Sequence, residues 1–132
     1  MIKKIYIFGN PLLDFDSLPI KMAPGLSRLF PALTFEIIDP NENLHPENQT
    51  LVVIDTVINA TEPFLINDIE MLELSPRYSM HDLDLAFTLK LLKKIGSLKY
   101  VYIIGVPPDY EMCLGLENTS KIISNLVNNI PD

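Results

Sequence analysis

Ile2-Lys3-Lys4-Ile5-Tyr6-Ile7-Phe8 runs directly into Gly9-Asn10-Pro11-Leu12-Leu13-Asp14-Phe15-Asp16. An apolar run bounded by turn-forming residues reads as a strand buried on both faces. Asp14 and Asp16 then lie on the turn that leaves the strand. A second apolar run, Leu51-Val52-Val53-Ile54, ends on Asp55. His81, in Ser79-Met80-His81-Asp82, stands just before a helical pattern in which Asp82 serves as N-cap. In an open α/β sheet the carboxyl ends of the strands gather at one edge, where ligands bind. Two carboxylates and one imidazole at such an edge form a donor set suited to Zn, Ni, Fe or Mn.

Outward from these segments, the remaining pattern alternates between strands and helices. Lys3–Phe8, Thr34–Ile38, Leu51–Ile54 and Tyr100–Gly105 read as strands, with Phe64–Ile66 as a weaker fifth. Between the first two strands, Met22, Leu26, Leu29 and Phe30 recur at helical spacing. Pro24 belongs in a first turn, so this helix is expected to start near Ala23. Asp82–Ile95 has a broad apolar face, with Lys93-Lys94 at its C-terminal end and Gly96 to stop it. Ser120–Ile130 carries Ile122, Ile123, Leu126, Val127 and Ile130 on one face, and its helix extends back as far as Glu117. The loops are Asp39–Gln49, Thr56–Pro63 and Leu74–Met80. The order β-α-β-β-(β)-α-β-α predicts an α/β three-layer sandwich (α/β/α) with a mostly parallel central sheet.

Composition bounds the function. At 132 residues the chain is expected to fold as one domain, residues 1–132. It is 48% hydrophobic and 20% charged, which argues against disorder. A net charge of −7 repels phosphate backbones, and the lysines and arginines form no stripe, so no nucleic-acid partner is expected. No apolar run approaches the roughly 20 residues that span a bilayer, so no membrane partner is expected either. A single cysteine forbids an internal disulfide and a cysteine-rich zinc site, and it fits a reducing cytoplasm. Cys113 itself is expected to be a small buried apolar residue. G-x-G-x-x-G, G-K-[ST] and G-x-S-x-G are all absent, which argues against nucleotide binding and a serine-hydrolase elbow.

Each candidate also has a plainer reading. Asp14 and Asp16 are ordinary turn residues if they bond their own backbone. Asp55 terminates a core run, where an unpaired charge is costly; it must be paired, cap a turn leading into Thr56, or hold a metal. A lone histidine such as His81 is ordinarily a surface residue or a satisfied core residue, and only the convergence of three elements raises it above that. His45 lies in a polar loop and is expected to be solvated.

In this order the segments resemble the maturation peptidases of nickel-iron hydrogenases, over nearly the whole chain. The family's opening G-N-x-L-x-x-D-[DE] corresponds to Gly9-Asn10-Pro11-Leu12-Leu13-Asp14-Phe15-Asp16, and its second strand ends in an Asp, here Asp39. An apolar strand leading to an Asp corresponds to Leu51-Val52-Val53-Ile54-Asp55. A histidine before a helix corresponds to His81, and a last strand with G-[IV]-x-P corresponds to Gly105-Val106-Pro107-Pro108. Departures are the Phe15 that splits Asp14 from Asp16 and the missing glycines after Asp16 and Asp39.

The resemblance implies the phosphorylase/hydrolase-like α/β/α fold. It also implies an endopeptidase that removes a C-terminal extension from a hydrogenase large-subunit precursor once nickel is in place. Asp16, Asp55 and His81 would be the ligands that read the substrate's nickel, or another divalent transition metal in vitro. Asp39, with Asp16 and Asp55, would belong to the catalytic group, as general base or positioning residue. Two other readings stay open: a non-catalytic interaction module of the same fold, and a receiver-like signalling domain that binds Mg and is phosphorylated on Asp55.

Overall fold

The computed structural model describes residues 2–8, 18–38, 50–57, 60–67, 96 and 99–129. Five strands form one sheet: β1 (Lys4–Phe8), β2 (Thr34–Ile38), β3 (Thr50–Thr56), β4 (Phe64–Ile66) and β5 (Tyr100–Val106). Two helices are described, α1 (Leu18–Leu29) and α2 (Met112–Asn129). The sheet order is β2-β1-β3-β5-β4. All neighbours are parallel except β4, which runs antiparallel to β5. The protein is thus α/β with a mostly parallel sheet, as the alternation of patterns predicts. The order also sets it apart from the doubly wound receiver arrangement, whose strands run 2-1-3-4-5.

Both faces of the sheet are buried. Ile5, Ile7, Val52, Ile54, Ile104 and Val106 point to the side on which α1 and α2 pack. Tyr6, Phe8, Leu51, Val53, Val101 and Ile103 point to the other side, where Ile38, Ile66 and Phe64 join them. The two sets alternate along each strand, as the pleat requires. Each fully buried aliphatic side chain contributes about 1.5–3 kcal/mol. That gain holds the central strands together against the ordering cost of their backbone. At one margin Lys4 pairs with Glu36 of β2 at 3.1 Å and lies 5.4 Å from the centre of the Tyr6 ring.

Strand ends of β1, β3 and β5 move by a residue or two from the sequence expectation, and both helix starts move further. α1 begins at Leu18, not near Ala23, and Pro24 lies inside it. Pro19 is the proline in the first turn, where its missing N–H costs nothing. Pro24 deprives the helix of one hydrogen bond at a cost of up to about 3 kcal/mol. Burial of Met22, Ala23 and Leu26 on either side of it outweighs that loss. Gly25 lets α2 approach closely: a Cβ there would lie 2.9 Å from Cδ2 of Leu116.

α2 begins at Met112, not between Glu117 and Ser120. Glu111 caps it, its carboxylate accepting hydrogen bonds from the amides of Cys113 at 3.0 Å and Leu114 at 2.7 Å. Cys113 is consequently exposed in the first turn of α2, not buried in the core. β3 likewise runs on through Asp55 to Thr56, because both residues pair with β5.

The expected helix over Asp82–Ile95 lies outside the described residues, and so does His45. Gly96, expected to stop that helix, adopts φ 82°, the left-handed conformation such a stop uses. Among the described residues no helix is long and apolar enough to cross a membrane.

Candidate functional site

β1 lies between β2 and β3: the chain steps from β1 to β2 on one side and then passes back beyond β1 to β3 on the other, so the strand order reverses here. At such a reversal of strand order, ligands usually bind outside the carboxyl ends of the strands, here β1 and β3. Ile7 stands opposite Ile54 across the two strands. One residue further on, near the carboxyl end of β3, is Asp55. Four consecutive apolar residues, Leu51 to Ile54, bring its backbone through the core, and the alternation places its side chain on the face away from α1 and α2.

Asp55 is only 1% exposed. A carboxylate at that depth has lost most of its hydration, which is tolerable only where dipoles or charges replace water. One replacement is local: the Thr56 amide donates to Asp55 Oδ1 at 2.8 Å. It is not the turn cap weighed from sequence: the donor is the next residue, not the one two positions on, and both residues lie in a paired strand. It fixes the rotation of the carboxylate. An oriented, dry carboxylate at a strand end is suited to holding a metal or a proton.

The row across the sheet at this level is Asp55, Gly105 and Phe64. A Cβ on Gly105 would lie 2.8 Å from Cε1 of Phe64 and 2.7 Å from Cγ2 of Val57. The missing side chain of Gly105 therefore makes room for the Phe64 ring and the Val57 side chain, which close over β5 beside Asp55. Sequence reading singled out Gly105 only as part of a motif. Phe64 and Val57 carried no signal, because only the antiparallel addition of β4 brings Phe64 to this edge.

Of the four candidate residues, Asp55 is the one the structure describes. Asp16, Asp39 and His81 lie outside the described residues, and so does Asp14. Among the described residues no group of three His, Cys, Asp or Glu side chains is placed to hold a metal ion.

No protein-family model matches the chain, and no curated protein matches it by sequence. Solved structures do match. The hydrogenase-maturating endopeptidase HybD from E. coli superposes with a TM-score of 0.63 at 18% identity, over 96% of this chain and 93% of that one. The solution structure of an endopeptidase from Escherichia coli gives 0.59 at 19% identity, over 95% and 93%. A hydrogenase 3 maturation protease gives 0.58 at 17% identity, over 94% and 88%. End to end, the chain has the fold of the hydrogenase-maturation endopeptidases.

Proposed function

We propose that this protein is an endopeptidase of hydrogenase maturation, which removes the C-terminal extension of a nickel-iron hydrogenase large-subunit precursor after nickel insertion. The observation that carries the proposal is Asp55, a fixed carboxylate buried at the strand-order reversal of a fold shared with such enzymes. Asp16 on the segment leaving β1 and His81 complete the donor set. Asp39, on the segment leaving β2, serves as general base or positioning residue.

The nickel belongs to the substrate. Two carboxylates and an imidazole give three anionic or neutral donors and leave positions for the precursor's own ligands. Without the cation, Asp16 and Asp55 repel each other, and that repulsion makes binding conditional on nickel. The Thr56 amide keeps the Asp55 carboxylate from rotating, so no ordering cost falls on the binding step. Asp16, Asp55 and His81 would hold the substrate's ion, which would supply Lewis-acid polarisation of the scissile carbonyl toward water. The single cysteine suits action in the cytoplasm.

The test is a processing assay. Nickel-loaded precursor should lose its C-terminal peptide, seen by mass spectrometry, and nickel-free precursor should stay intact. Phe15 between the two acids and the missing glycines favour a second reading, an interaction module of the same fold. In that case the precursor is bound and never cut.

A further inference from the structure

The pole of the molecule opposite Asp55 carries a groove of about 610 Å³. Its walls are Leu29 and Phe30 at the end of α1, Leu33 and Thr34 entering β2, Ile2 and Lys3 leading into β1, and Val127 of α2. Lys3 to Phe8 is five strand residues, so the groove is about 16 Å from the carboxyl edge of the sheet. It belongs to no part of the proposed peptidase site.

Leu29 is 55% exposed and Val127 38% exposed. Both line the groove, as do Leu33 and Thr34 at the entrance to β2, which is the end strand of the described sheet. Continuous apolar surface of this kind marks an interaction site, and an accessible end strand favours an extended occupant.

Charge selects the chemistry of that occupant. Lys3 is exposed on the groove, and Arg28 is exposed beside Leu29. Neither makes an ion pair among the described residues. The nearby Glu36 is engaged by Lys4 at 3.1 Å. The groove is thus locally positive on a chain of net charge −7. A second copy would bring seven further negative charges into the general repulsion of the pair, which disfavours self-association.

We infer that this groove docks an extended segment of a partner protein, aliphatic with at least one acidic residue. The aliphatic side chains cover Leu29 and Val127, and the acidic side chain pairs with Lys3.

The test uses a phage-displayed random dodecapeptide library panned on the intact protein. Enriched peptides should carry Asp or Glu beside aliphatic residues. By fluorescence anisotropy they should bind wild type at least about tenfold better than Lys3→Glu or Val127→Glu, both of which alter exposed side chains. Asp55→Asn should bind them unchanged, which separates this surface from the peptidase site. Lack of enrichment, basic or neutral winners, or undiminished binding to both groove variants would overturn the inference. It is also overturned if sedimentation shows a wild-type dimer that Val127→Glu dissociates, since the occupant is then a second copy.

Discussion

Gly105 stands directly opposite Asp55 in the β3–β5 ladder, and the Phe64 ring fills the space a side chain on Gly105 would need. The apolar cover beside the buried carboxylate therefore depends on a hydrogen atom at position 105. Gly105→Ala forces Phe64 and Val57 apart and should cost about 1–3 kcal/mol, the usual range for overpacking a tight core. Thermal or denaturant unfolding measures it. Phe64→Leu in the same chain should recover part of the loss, because the two sites are in contact and their effects are not additive. Full additivity would show that the ring is not what Gly105 accommodates.

Asp55→Asn keeps an oxygen to accept the Thr56 amide and removes the charge. The variant should keep its circular dichroism and lose at least about 10²-fold in processing rate. His81→Ala and Asp16→Asn should also abolish processing without unfolding the chain. Normal processing by all three would remove these residues from the site.

Pro24→Ala restores the N–H that α1 lacks at its centre. Pro24 is exposed, so the substitution disturbs little packing. Stability should rise by about 1–2 kcal/mol, somewhat less than the full helix-interior penalty, because proline also stiffens the unfolded chain. A loss of stability would mean that α1 is bent around this residue.

Two amides hold the Glu111 carboxyl below the ordinary glutamate range, the bond from Cys113 first and that from Leu114 second. A carboxyl with a lowered folded-state value adds stability above its unfolded value, and that contribution fades as pH falls through the folded value. Glu111→Ala should therefore lower the thermal midpoint at neutral pH. The gap to wild type should shrink in acid, below the carboxylate range. An equal gap at both pH values would assign the effect to packing instead of charge.

The central strands were legible because β1, β3 and β5 are built on runs of Ile, Val, Leu, Phe and Tyr, and such runs have few alternatives to burial. Helix beginnings were not. α1 holds two prolines five residues apart, and spacing alone does not say which one occupies the first turn. α2 is capped by Glu111, whereas the usual capping residues are Ser, Thr, Asp and Asn. Its first turns also contain Gly115, a poor helix former that is buried against Met22 and Tyr110. That early start exposes Cys113. At the site, Asp55 was legible because a charge that ends a core run demands a reason. The closure of Phe64 and Val57 over Gly105 was not, since it follows from the antiparallel pairing of β4 with β5 and leaves no local pattern.

The claim that Asp16, Asp55 and His81 act together on one transition-metal ion is met most directly by anomalous diffraction from a crystal soaked in nickel or cadmium. The account predicts a single strong peak at the carboxyl ends of β1 and β3, bonded to all three side chains. An ion bound by Asp55 without the imidazole of His81, or no ion at that edge at all, would contradict it.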